Sequence, residues 1–190
     1  ISARGGLNGG DGGFVEVSGQ KELIYNAQTG TRAPYGNIGS LLLDPGYLEL
    51  IAGSGTDTTN TLYSYNIATN LKTTGVTLQT DASDTGNITF TTGAYDFTAN
   101  SNNTTNPLIL LARSNGTSAT GNISLPTGTI ITMSAGAPLK MVAGWDGFDA
   151  ANPALATYVA GHGDISLTGA TSISSSGNIS LLAAGDISIT

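Results

Sequence analysis

The phrase Gly-[Asn/Asp]-Ile-[Ser/Thr] begins at Gly86, Gly121, Gly163, Gly177 and Gly185, and a partial copy, GNIGSLLL, begins at Gly36. No other feature restricts the fold of this chain as strongly. In each full copy apolar residues alternate with small polar ones. If the backbone is extended, Ile165, Leu167 and then Ile173 face one way, while Ser166 and Thr168 face the other. That is the period of a half-buried strand.

The spacing carries the topology. Gly163 and Gly185 lie 22 residues apart. Three short strands fit between them, near Ile165–Thr168, Thr171–Ser174 and Ile179–Ala183, separated by Gly, Ser or Ala-Gly. Such strands are too short and too evenly spaced for a sandwich with long crossovers. They predict an all-β fold, a parallel β-helix with three strands per coil of about 20 residues. One coil cannot bury its own inward face, so coils stack and the isoleucines form a ladder. Asn or Asp at the turn can bond backbone groups there, and Gly permits φ > 0.

Upstream the same grammar holds with interruptions. GNISL at Gly121 is followed by GTIITM from Gly128 and APLKMVAG from Ala137. The next copy is expected near residue 143 but arrives at Gly163, which predicts a protruding insertion over residues 144–162. YDFTANSNNTTN predicts a second one over residues 95–106. Two segments break the β pattern. SYNIATNLKTTG offers Ser64 as an N-cap, Ile67 and Leu71 one turn apart and Gly75 as a stop, and NPALATYVAG reads as a second short helix or capping turn. The whole of residues 1–190 is expected to be one module, cut from a longer protein.

Composition then narrows function. Charged residues make up 10% of the chain and the net charge is −7 with six Lys and Arg, so no basic face exists for nucleic acid, and anionic membranes would repel it. Disordered chains are usually charged and poor in β-branched residues, whereas this one is rich in Ile, Val and Thr. There is no cysteine, hence no disulfide framework. No apolar run is long enough to span a bilayer as a helix, so no membrane insertion is expected.

Few residues suggest chemistry. The single histidine, His162, stands between two glycines, and no serine lies in a G-x-S-x-G elbow. Asp146 and Asp149 flank Phe148 and follow Trp145; aromatic rings beside carboxylates can form a sugar-binding platform, and paired carboxylates can hydrolyse a glycosidic bond. The bland alternative is a loop whose rings pack on the body of the fold. Asp81 and Asp84 share a similar spacing and read as a solvated turn. GGLNGGDGGF resembles a calcium-binding nonapeptide only in composition, and no metal or cofactor is expected. Asn-x-[Ser/Thr] sequons occur at Asn87, Asn102, Asn103, Asn115, Asn122 and Asn178.

The stretch Gly9–Pro45 is more specific. Gly9, Gly10, Gly12, Gly13, Val15, Glu16, Ser18 and Gly19, then Gly39, Leu41, Leu42, Leu43, Asp44 and Pro45 with YLELI following, resemble the filamentous haemagglutinin-like adhesins of two-partner secretion. The resemblance is good over residues 9–51 and merely repeat-like beyond residue 90. It implies a right-handed parallel β-helix, exported through a dedicated outer-membrane transporter to the bacterial surface or medium. It further implies adhesion, aggregation, biofilm structure or toxin delivery. The Asn-Pro-Asn motifs of that family's secretion domain are missing, so the transporter is expected to engage a region outside this chain. The motif residues read as structural: Pro45 turns the chain and Glu16, between Val15 and Val17, points outward.

These readings converge on a non-enzymatic adhesive shaft, with any host or matrix carbohydrate or protein receptor bound at Trp145, Asp146, Phe148 and Asp149. The rivals are a polysaccharide-binding or -degrading β-helix and an autotransporter passenger. The last strand leaves Ile187 and Ile189 uncovered, which leads to the expectation of further coils or a cap beyond Thr190.

Overall fold

The computed structural model describes residues 1–98, 105–117, 119–147 and 162–190. Alternating apolar and polar residues form strands wherever the repeat phrase or its apolar equivalents occur. In chain order the elements are β1 (Phe14–Ser18), β2 (Ser40–Asp44), β3 (Leu48–Ile51), β4 (Thr61–Tyr63), α1 (Ser64–Leu71), β5 (Gly75–Gln79), β6 (Ile88–Phe90) and β7 (Ala94–Asp96). They continue with β8 (Leu108–Arg113), β9 (Ile123–Leu125), β10 (Ile130–Thr132), β11 (Leu139–Trp145), β12 (Ile165–Leu167), β13 (Ser172–Ser174), β14 (Ile179–Ala183) and β15 (Ile187–Ile189).

The strands form three sheets, all parallel. Sheet I runs β1-β2-β5-β8-β11-β14, sheet II runs β4-β3-β6-β9-β12-β15, and sheet III runs β7-β10-β13. From β5 onward the chain visits sheets I, II and III in strict rotation. Each circuit sets like upon like: Leu48, Ile88, Ile123, Ile165 and Ile187 form one column, and Leu43, Leu78, Leu110, Met141 and Leu181 another. Tyr95, Ile131 and Ile173 supply the third wall. Most members of these columns are fully buried, and the columns meet in one core.

The repeat phrase is the corner that opens sheet II. Four copies, at Gly86, Gly121, Gly163 and Gly185, fall one above another, and their second residues form a ladder. The Asn122 N–H donates to Asn87 Oδ1, the Asp164 N–H to Asn122 Oδ1 and the Asp186 N–H to Asp164 Oδ1, each at 2.8 Å. The copy at Gly177 is out of phase with these and opens β14 in sheet I instead. A two-rung version precedes sheet I, where the Asn37 N–H donates to Asp11 Oδ1 at 2.7 Å.

The rungs at Asp164 and Asp186 are 22 residues apart, close to the expected 20 or so, those at Asn122 and Asp164 are separated by 42 and those at Asn87 and Asn122 by 35, and the two longer circuits are the ones in which insertions were expected. Strand register is intact across all three. The departure from expectation is at residues 95–106: Tyr95 and Asp96 belong to β7, and Tyr95 and Phe97 are buried core residues. Tyr-Asp-Phe is itself an apolar–polar–apolar alternation, and its neighbours Ser, Asn and Thr disguised it as loop. Residues 99–104 and 148–161, including the second expected helical segment, lie outside the described residues.

α1 forms where expected, and Ile67, Ala68 and Leu71 turn inward against β5 and β7. Its N-cap is Tyr63, without a side-chain cap bond. The Ser64 hydroxyl instead exchanges bonds with Gly53, accepting its N–H at 2.9 Å. Buried Asn106 donates to the Leu71 carbonyl at 2.7 Å and satisfies a helix-end acceptor. Between β1 and β2 the chain is irregular but pinned by two buried asparagines. Asn70 Oδ1 accepts the Thr29 N–H at 2.7 Å, and Asn60, with φ 53°, accepts the Leu23 N–H at 2.7 Å and donates to the Lys21 carbonyl at 2.6 Å.

Candidate functional site

Sheet I buries apolar side chains on both of its faces. Its inner side chains join the main core, while Ile109, Leu111, Val142 and Trp145 form a separate apolar cluster on the outer face. Trp145 reaches that face through a bulge. Strict alternation from Leu139 would turn residue 145 inward, but the register shifts between Ala143 and Trp145, and Trp145 pairs with outward-facing Arg113. Gly144 makes the shift, at φ 72°, packed so closely that a Cβ would stand 1.8 Å from the His162 carbonyl oxygen. Only glycine fits both the conformation and the space.

The expectation of Trp145 as an accessible sugar platform is therefore corrected: the ring is 0% exposed, at the end of a strand. Asp146 is half-buried just beyond it. Phe148 and Asp149 lie outside the described residues.

Around Trp145 a polar band runs across the outer edge of sheet I. The Arg113 guanidinium lies 5.9 Å from the Trp145 ring centroid, a cation–π distance, and 3.6 Å from Asp81 Oδ2. Next along the sheet stand Gln79 and Asp44, the Gln79 Nε2 donating to Asp44 Oδ2 at 2.9 Å. Glu16 stands on β1, exposed and accepting from the Ser18 hydroxyl. Among the described residues, Asp44 Oδ1 and Gln79 Oε1 are buried without a hydrogen-bond partner. Burial, reinforced by the negative charge of Asp81, pushes the Asp44 carboxyl up to about 6, against the opposing bond from Gln79. Lys140, on the outer face of β11, is shifted down by burial.

Three motif residues, Glu16, Ser18 and Asp44, thus share an edge with Trp145, which sequence had placed in a separate loop. The other motif residues support them. Val15 packs on the core, Leu41, Leu42 and Leu43 are buried in β2, and Pro45 makes the buried corner into β3. Gly12, Gly13 and Gly19 bring backbone against backbone: a Cβ on Gly12 would meet the Thr31 carbonyl oxygen at 1.8 Å. Gln79 and Arg113 were not legible as partners of this band. Their only sequence signal is position at the ends of two apolar strands, GVTLQ and LILLAR.

The band joins the carboxylates of Glu16, Asp44 and Asp81 with an amide and a guanidinium, and among the described residues no group of three or more acidic, cysteine or histidine side chains is placed to hold a metal ion. No helix of the described residues is long and apolar enough to cross a membrane. No protein-family profile, curated protein or solved structure matches the chain.

Proposed function

We propose that the chain is a segment of a right-handed parallel β-helix within a secreted, cell-surface exoprotein, serving as an adhesive shaft without catalytic activity. One observation carries the reading. From β5 to β12 every strand pairs in parallel with the strand one circuit on, and the rotation through three sheets holds to β15. Such stacking makes a structure that extends by repetition, suited to holding a binding surface away from a cell. The motif resemblance over residues 9–51 supplies the setting: export by a two-partner outer-membrane transporter acting on a region outside these residues, and display to host or matrix receptors.

The test is retention. Beads bearing the purified chain should bind epithelial cells or extracellular matrix above bare beads, and retention should saturate with soluble chain as competitor. Retention no greater than that of bare beads overturns the adhesive reading.

A second reading, a polysaccharide-degrading enzyme, draws support from Asp44, whose raised pKa beside Asp81 suits a general acid. Release of reducing or unsaturated sugar ends from polysaccharides, lost in Asp44→Asn, would favour it over the shaft.

A further inference from the structure

Beside α1 lies an open groove of about 480 Å³, within the size range of small-ligand sites. Three stretches of chain build it: Asn26 and Gln28 from the irregular segment after β1, Asp57 from the bend before β4, and Tyr65, Asn66 and Thr69 from α1. It is distinct from the band around Trp145.

The walls are fixed before any ligand arrives. Asp57 is 2% exposed, and its Oδ1 accepts both the Tyr63 N–H and the Asn66 Nδ2, each at 2.8 Å. Asn66 Nδ2 also donates to the Gly55 carbonyl at 3.0 Å, and Asn26 Nδ2 donates to the Asp57 carbonyl at 2.9 Å. Both asparagine amides are therefore locked with their nitrogens turned into the protein. Among the described residues their oxygens make no hydrogen bond, and neither does the Gln28 side-chain amide. Tyr65 is 49% exposed and lines the groove.

The inventory selects a class of ligand. Two held amide oxygens accept hydroxyl donors, the Gln28 amide both donates and accepts, and an exposed ring offers an apolar face with a polar tip. Among the described residues no Lys or Arg lines the groove, and Asp57 contributes a carboxyl to its lining, which disfavours phosphates, sulfates and uronates. We propose that this groove binds a neutral saccharide through Asn26, Gln28, Tyr65 and Asn66. The inference takes its biological setting from the adhesive reading, but its chemistry rests on the groove alone.

The test titrates ¹⁵N-labelled chain with lactose, maltotriose and chitotriose, and with trigalacturonate as the anionic comparison, following the side-chain amides of Asn26, Gln28 and Asn66. A neutral sugar should shift these signals saturably, and trigalacturonate should bind about tenfold more weakly or not at all. Tyr65→Ala, at an exposed helical position, should lower the affinity about tenfold with the fold unchanged. Phe14→Ala removes a similarly exposed ring (52%) from β1 and should leave binding intact. No saturable shift with any neutral sugar, preference for the uronate, or equal loss in both variants overturns the proposal. Beads retained on cells without any sugar binding would sink the groove while leaving the adhesive reading standing. Sugar binding without bead retention would do the reverse.

Discussion

The side-chain oxygen of Asn122 accepts the backbone N–H of Asp164, 42 residues further along the chain, at 2.8 Å. The bond extends the β9–β12 ladder, whose first backbone bond runs from the Ile123 N–H to the Asp164 carbonyl, back into the corner, and the same geometry recurs above and below it. Replacing Asn122 by Ala leaves the Asp164 N–H without its acceptor and should cost about 1 kcal/mol. Asn122→Asp keeps the acceptor, as Asp164 itself does one circuit later, and should cost much less. Urea denaturation of the two variants side by side checks this.

Gly144 should tolerate no side chain. Gly144→Ala meets both the positive φ and the His162 carbonyl, and should destabilise by about 2 kcal/mol or more. Because Trp145 is the only tryptophan, its fluorescence reports the outcome directly: emission should move to the red as the ring leaves its apolar cluster. An unshifted spectrum at unchanged stability would refute the role given to the bulge.

Trp145→Ala should behave as a core truncation, losing about 3–5 kcal/mol. A variant that melts like the parent chain but loses receptor binding would restore the accessible-platform reading. Thermal denaturation followed by circular dichroism decides.

Asp44 should make stability pH-dependent in an unusual direction. Its native carboxyl holds a proton up to about pH 6, whereas an unfolded one releases it near 3.8. Between those values the native state binds more protons than the unfolded chain, so stability should fall as pH rises from about 4 to 6. After allowance for solvent screening the loss is about 1–2 kcal/mol. Asp44→Asn should flatten that slope and raise stability at pH 7, since its amide can donate to the unpartnered Gln79 Oε1. Denaturant midpoints for both chains at pH 4, 6 and 7 test this.

Ile165 and Ile187 occupy the same place in the same phrase, yet one is fully buried and the other 45% exposed. Ile165→Ala should cost about 2–5 kcal/mol, and Ile187→Ala well under half as much. Equal losses would mean that β15 is covered in solution.

Comparison of these residues also shows what sequence could carry. The phrase at Gly163 and Gly185 announced its strands because alternation there is uninterrupted, and Ile67 and Leu71 announced α1 by their spacing. The basic circuit of about 20 residues was legible because one example, of 22 residues, runs uninterrupted between Gly163 and Gly185. Tyr95 was lost in a polar neighbourhood. Trp145 was misplaced because a bulge reverses side-chain direction without altering composition, and glycine is too common here, at 27 residues, to flag it. Asp44 and Gln79 meet only through sheet register, and Asn60 and Asn70 act through long-range bonds, which no local pattern encodes. The groove beside α1 was invisible for the same reason: its walls come from three separate stretches.

Circuits of 22, 35 and 42 residues present identical rungs. Chain length and core register are therefore inherited separately. A gene coding for such a molecule can gain or lose codons at the corners while the buried columns stay as they were, because doubling a loop adds only about 0.6 kcal/mol of closure entropy.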